Sequence, residues 1–315
     1  MESTDRVPIT IVVLALNEER NLPDCLASVA GWASEIFVVD SGSTDRTVEM
    51  AQSYGATIAY HPFETHARQW DWALKNLPCR SEWVLALDAD QRVTPELRAE
   101  LGRLFAEEGS RLSHVDGFYI KRRQIFRGRW IRHGGYFPKY LLKLFRRGQT
   151  RTDTTDLVDH HFSIAGHVAK LQHDLIEANQ KENDLSFWIE KHNRYATLLA
   201  REELQRRRGD RRQPVAASLL GTPDERTAWL KRLWYRQPLY VRPFLYFLYR
   251  YVLRLGFLDG KEGFIFHFLQ AFWFRLLVDI QLDEMLNEAE PFDRQTLNEE
   301  ATELKMKTEQ QQTQP

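Results

Sequence analysis

Cysteine is scarce. Cys25 and Cys79 are the only two in 315 residues, too few for a disulfide framework or a cysteine-built zinc site. A reducing cytosol is therefore the expected setting, with both thiols packed rather than catalytic. Net charge is also nearly absent, at −1, which excludes a broad electrostatic field for nucleic acid. No uncharged apolar run reaches the roughly 18 residues of a simple membrane span. The opening "MESTDRVPIT" lacks the basic-then-apolar order of a secretion signal. Neither a G-x-x-x-x-G-K-[ST] loop nor a G-x-G-x-x-G turn is present, so phosphate is not held by a glycine-rich cradle. No internal repeat is found.

What is present begins with "ITIVVLAL" at Ile9–Leu16, a β-branched run that predicts a strand buried on both faces. A helix over Leu22–Trp32, a strand over Glu35–Val39 and a helix over Thr44–Tyr54, capped by Ser43 or Thr44, follow. A strand at Ala56–Tyr60, a helix at Ala67–Leu77, a strand at Trp83–Leu87 and a helix at Pro95–Glu107 behind Thr94 complete the pattern. That rhythm predicts a doubly wound α/β sheet, whose ligands bind beyond the carboxyl ends of the strands. Asn17-Glu18, Asp40-Ser41-Gly42 and Asp88-Ala89-Asp90 all fall at such ends.

Asp88 and Asp90 stand one residue apart after the apolar "LAL". In an extended segment alternate side chains share a face, so the two carboxylates are expected to converge. A converging pair suits a hard divalent cation, Mg²⁺ or Mn²⁺, completed by phosphate oxygens; two solvated acids at a strand end are the plainer alternative. Asp40 suits hydrogen bonding to a base or ribose, and equally an Asx-turn for the helix that follows.

The segments "VLALNEERNLPDCLASV", "VVDSGSTDRTVEMAQSYGA" and "WVLALDADQRV" together resemble the inverting family-2 glycosyltransferases of GT-A fold. The resemblance covers about residues 7–200 and is nearest the bacterial lipopolysaccharide-core and exopolysaccharide branch; "RLGFLDGKEGF" resembles that branch's C-terminal region. It implies a mixed, mainly parallel sheet, a nucleotide-diphosphate-sugar donor and Mg²⁺ or Mn²⁺. It further implies that Leu16, Asn17, Glu18, Asp40, Ser41, Gln69 and Asp88 border the nucleotide. Asp90 and Asp88 hold the metal, with Gln91 as a further oxygen ligand. Relatives often place a basic residue after the Gln69 position; here Trp70 stands there, leaving Arg68 or Lys75 to substitute. An inverting reaction needs a base to take the acceptor proton. Asp159, His160 and Asp156, after "KLFRRG", are the candidates, with a structural turn or a metal-proximal histidine as alternatives. In "RGRWIRHGGYFPKY", Trp130 and Tyr136 offer ring faces to an acceptor sugar or prenyl chain. Arg132 and His133 offer charge to a phosphate.

The expected organisation is a catalytic domain over 1–200, a charged linker over 201–228, an aromatic helical extension over 229–290 and a polar tail over 291–315. In the extension, Arg242, Arg250 and Arg254 recur at multiples of four among aromatics. They read as a basic stripe on a helix lying in a membrane interface; covering the catalytic domain or pairing with another copy is the alternative. The expected partners are thus a nucleotide sugar, a lipid-linked or glycan acceptor and a membrane surface, but no nucleic acid. The expected place is peripheral, at the cytoplasmic face of the plasma membrane. A non-catalytic nucleotide-sugar-binding partner and a sugar nucleotidyltransferase are the other functional readings.

Overall fold

The computed structural model describes residues 6–106, 111–152, 154, 162–209 and 217–288. The first half alternates as the sequence predicts: β1 (Val7–Ala15), α1 (Leu22–Val29), β2 (Ala33–Asp40), α2 (Thr47–Ser53), β3 (Thr57–Tyr60), α3 (His66–Asn76), β4 (Trp83–Asp88), β5 (Gln91–Val93) and α4 (Pro95–Ala106). Then come β6 (Gly117–Phe126), β7 (Arg129–Trp130), β8 (Lys139–Arg146), β9 (Thr150–Thr152), β10 (Phe162–Ile164) and β11 (Val168–Glu177). The helices α5 (Leu185–Arg207), α6 (Pro223–Tyr235), α7 (Val241–Leu248) and α8 (Gly260–His267) follow, and the chain stays helical from α8 through residues 268–288. Thr94 caps α4 as expected, its hydroxyl accepting from the Leu97 amide.

The main sheet has nine strands in the order β3-β2-β1-β4-β8-β6-β11-β5, with β7 paired to β6. β1, β2, β3 and β4 pair in parallel. β8 runs antiparallel between β4 and β6, so β4, β6 and β11 end at the same edge as β1. This is the mixed, mainly parallel sheet anticipated. Alternation along the central strands explains it: Ile9, Ile11 and Val13 join one core with α1 and α4, whereas Val12 and Leu14 join a second core with Trp70 of α3. A strand buried on both faces can lie only inside a covered sheet.

A third core lies under the C-terminal helices, where Phe126 and Ile131 meet Trp188, Ala196 and Ala200 of α5 and Phe266, Phe274 and Val278. The expected linker is smaller than 201–228. α5 continues to Arg207 with Glu202 and Glu203 buried, and α6 starts at Pro223 on a capping box between Thr222 and Glu225. The expected tail lies outside the described residues.

Candidate active site

The strand order reverses around β1: β2 lies on one side and β4 on the other. Such a switch point opens a crevice beyond the strand ends, and the predicted acids are there. Asn17 follows β1 with φ 55°, a left-handed conformation that asparagine tolerates better than most residues. Its side-chain oxygen accepts from the Thr44 amide at 2.8 Å, and its own amide donates to Ser43 Oγ at 2.9 Å. Ser43 and Thr44 are therefore spent on Asn17. Asp45, not either of them, receives the Thr47 amide at the start of α2, at 3.0 Å. Burial pushes the Asp45 carboxyl up, but bonds from the Thr47 hydroxyl and amide and the Glu19 amide outweigh it and hold it low.

Asp40 is buried and accepts from the Gly42 amide at 2.9 Å and the Ser43 amide at 3.1 Å. This is the Asx-turn, and it fixes the loop whichever ligand lies beyond it. Gln69, also buried, donates to Ser41 Oγ at 2.8 Å and to the His61 carbonyl at 2.9 Å, with its own oxygen 2.6 Å from His61 Nδ1. It braces the Ser41 loop. Arg68 and Lys75 do not reach the crevice from α3; they pair along the helix with Glu64 and Asp71. Leu16 is 41% exposed at the crevice mouth.

Asp88 and Asp90 come together by a route the sequence did not suggest. Asp88 ends β4, and Ala89-Asp90 form a turn into β5, so a reversal rather than strand alternation gathers the pair. Lys143 of β8, almost wholly buried, donates to Asp88 Oδ2 at 2.9 Å. Asn179 Nδ2 donates to Asp90 Oδ2 at 3.1 Å. Burial, then the neighbouring Glu177 and Asp88, push the Asp90 carboxyl well above the usual range. Gln91 is fully buried: its oxygen accepts from the Asp88 amide at 3.2 Å and its nitrogen donates to Glu177 at 2.9 Å. It holds the turn from beneath. Cys25 lies below, and burial with Asp90 and Asp88 pushes its thiol up; a neutral, buried thiol is not a nucleophile.

Reasoning from sequence missed the loop after β11. Lys181 Nζ reaches Glu18 Oε1 at 2.5 Å and the Asn17 carbonyl at 3.1 Å. Asn21 donates to both Glu18 and Asn179. Lys191 pairs with Glu182 at 2.7 Å, which outweighs burial and lifts the ammonium pKa. Arg122 of β6 pairs with Glu177 at 3.0 Å. The polar run "EANQKEN" was the available signal, but its alignment beside Asp90 depends on β11 pairing with β5.

Further along the same edge lies the segment after β7. Trp130 sits between Arg123 and Arg132, whose guanidinium carbons are 4.6 and 5.3 Å from its ring. Tyr136 is covered by Arg250 at 3.9 Å and by the edge of Phe266. Tyr136 is thus covered, whereas Trp130 is half-buried. His133 is half-buried, its Nδ1 2.7 Å from Asp259 Oδ1 and its amide donating to Asp259 Oδ2 at 2.9 Å. Arg132 is exposed beside it. Gly134 is obligatory: a Cβ there would lie 2.0 Å from His267. Asp156, Asp159 and His160 lie outside the described residues.

Asp88 and Asp90 offer the hard oxygen donors that Mg²⁺ or Mn²⁺ accepts when phosphate and water complete the shell. Among the described residues no group of three His, Cys, Asp or Glu side chains converges as a closed metal cage. A cavity of about 540 Å³ lined by Ser34, Glu35, Arg80 and Trp83 lies at the opposite edge of the sheet, away from all these groups.

Residues 10–172 match the family Glycosyl transferase family 2. The chain is 29% identical over 276 residues to the lipopolysaccharide core biosynthesis glycosyltransferase LpsC of Rhizobium meliloti, covering 84% of this chain and 91% of that protein. An uncharacterized glycosyltransferase of Rickettsia bellii is 34% identical over 100 residues, and the match spans only about a third of either protein (32% and 33%). Among solved structures, the mannosyltransferase PcManGT of Pyrobaculum calidifontis, in complex with GDP-Man and Mn²⁺, aligns with TM-score 0.50 at 14% identity, covering 88% of this chain and 87% of that one. The family match runs from β1 into β11 and includes the ends of β1, β2 and β4, so the chain belongs to glycosyl transferase family 2, with the GT-A fold, and is a glycosyltransferase.

Proposed function

We propose that the protein transfers a sugar, with inversion, from a nucleotide-diphosphate-sugar to a hydroxyl of a lipid-linked or glycan acceptor. The setting is cell-envelope glycan synthesis at the cytoplasmic face of the plasma membrane. The observation that carries this reading is Asp90, a half-buried carboxylate crowded by Glu177 and Asp88 at the switch point of the sheet. Its environment disfavours a lone negative charge and favours a cation beside it. Asp90 and Asp88 would hold Mg²⁺ or Mn²⁺, whose chemistry when bound is charge neutralisation of the departing diphosphate.

The chain's own residues do the rest. Asn17 and the Asp40 turn shape the nucleoside end, and Lys181 and Lys143 supply positive charge on either side of the acids. Arg132 and the Asp259-oriented His133 face the acceptor side, where the lipopolysaccharide-core relative supports a glycolipid. We assign the base to Asp159, with Asp156 and His160 behind it.

Donor hydrolysis tests this reading: purified protein, Mn²⁺ and a panel of UDP-, GDP- and TDP-sugars. Slow release of free sugar and nucleoside diphosphate is expected, reduced about a thousandfold or more in Asp90→Ala, as for loss of a principal electrostatic group. Full turnover after exhaustive chelation would refute the metal. Tight donor binding without hydrolysis or transfer, even with membrane extract, would favour a non-catalytic binder. Release of pyrophosphate from a sugar phosphate and a nucleoside triphosphate would favour a nucleotidyltransferase.

A further inference from the structure

The stretch between Tyr240 and Phe268 is built inside out. Its polar groups turn inward: Arg242, Asp259 and His267 are each at most 2% exposed. Its outward side chains are apolar or aromatic except for Arg254 and Lys261. Leu253 is 74% exposed, Phe244 52% and Leu258 50%. A soluble surface normally scatters such residues singly.

The stretch is an antiparallel hairpin. Phe247 of α7 packs on Phe268 with ring centroids 6.3 Å apart, and Tyr251 on Phe264 at 5.6 Å. The chain reverses over residues 253–259, where Leu255 adopts φ 59°, a costly conformation for a bulky side chain. The apolar reversal is thus the hairpin's tip. One helical stretch, Gly256–Glu288, is long and apolar enough to cross a membrane by length and composition, its most apolar window only 39% buried. Its inner face, however, carries Phe266, Phe274 and Val278 into the core over α5. The helix it packs on, α5, carries Glu190, Arg194 and Arg201 on its exposed surface, so the pair suits lying against a bilayer rather than passing through it.

Charge selects the occupant. From Arg226 to Phe268 every exposed charged residue is a cation: Arg226, Lys231, Arg232, Arg236, Arg254 and Lys261. The two acids of α8 and its approach are withdrawn, Asp259 onto His133 and Glu262 half-buried. A second copy would bring like charge against like charge; anionic headgroups around inserted leucine and phenylalanine are complementary.

We propose that the α7–α8 hairpin is a wedge inserted into an anionic lipid surface, and that it carries the acceptor-side segment with it. Two contacts make that coupling. The Gly134 amide donates to the Arg254 carbonyl at 2.8 Å, and the Asp259 carboxylate holds both the amide and the ring of His133. Arg132 and His133 are thereby fixed beside the tip. This rests on the proposed function only in making the acceptor a lipid-borne one.

Flotation of the full chain with phosphatidylcholine vesicles, with and without phosphatidylglycerol, tests it. The wild type is expected to float with the anionic vesicles. Leu253→Asp with Leu258→Asp should cut the bound fraction about tenfold or more, as expected when two leucine side chains cease to be buried. Lys231→Glu with Arg232→Glu should abolish the preference for phosphatidylglycerol. These residues are exposed, so an unchanged melting temperature will show that the variants fold. A wild type that stays at the bottom of the gradient overturns the proposal, as does a leucine double variant that floats normally. A dimer in solution that the same pair dissolves, without flotation, assigns the face to a second copy and also overturns it. Donor hydrolysis without lipid is read in parallel: its absence would count against the proposed function and leave the flotation result standing.

Discussion

The crevice and the helical layer over α5 use charge in opposite ways. In the crevice, Asp88, Asp90 and Glu177 crowd together with Lys143 and Arg122 beside them, and the Asp90 carboxyl is displaced upward. In the helical layer, Arg242 is wholly buried but fully matched. It donates twice to Glu203, at 2.9 Å each, and twice to Asp279, at 2.8 and 2.5 Å. Matched charge deep in an interface fixes how helices seat, whereas crowded like charge leaves a demand that a ligand can meet.

Breaking the matched side should have the larger effect on stability. Arg242→Met leaves Asp279 buried without a cation and Glu203 with only Arg207, and is expected to cost about 3–5 kcal/mol. Amide exchange should show the loss over α5, α7 and residues 274–288, with β1 and β4 still protected; uniform loss would mean that the two regions fold as one unit. Arg242→Lys should not rescue, since one ammonium cannot bond both carboxylates through the same fork.

Acid should separate the regions next. Burial depresses both His192 and His267 to about 4, against an ordinary 6.5. The unfolded chain takes up these protons first, so the stability they contribute is full above about 6.5 and is lost as pH falls toward about 4. The loss approaches about 3 kcal/mol for each. Melting curves from pH 7.5 to 5, with exchange localised to the helical layer, would check this; a layer indifferent to pH would contradict it.

The smallest effect sharpens the crevice side. Lys181→Ala removes the tie from the β11 loop to Glu18 and Asn17, at a half-buried position outside the cores. The donor KM is expected to rise about tenfold, the worth of one charge-assisted hydrogen bond, with little change in melting temperature. An unchanged KM would detach that loop from donor binding.

The sheet was legible because its signals are local. A run such as "ITIVVLAL" can be satisfied only by burial on two faces, and the acids at strand ends follow from the doubly wound rhythm. Legibility failed where partners are distant in sequence. Lys143 meets Asp88 across 55 residues and His133 meets Asp259 across 126; no spacing rule reaches that far. The arginine stripe failed for a geometric reason. The α-helix ends at Leu248, Tyr249–Leu253 winds more widely as a π-helix and Arg254 lies beyond it, so Arg242 faces the core, Arg250 lies over Tyr136 and Arg254 emerges at the tip. The exposed surface there belongs to the apolar residues between them, Phe244, Leu248 and Leu253 among them. Gln91 and Gln69 were expected at ligands from the family resemblance, and the bonds by which each braces a loop depend on partners that the resemblance does not name.

Strand β8 has a consequence for anyone recombining this enzyme with its relatives. It is antiparallel, comes from the acceptor-side half of the chain, and is inserted directly beside β4. Its Lys143 is the counter-ion of Asp88. A chimera cut between residues 106 and 117 would therefore take Asp88 and Asp90 from one parent and the balancing Lys143 ammonium from the other, so grafts must move the two strands together.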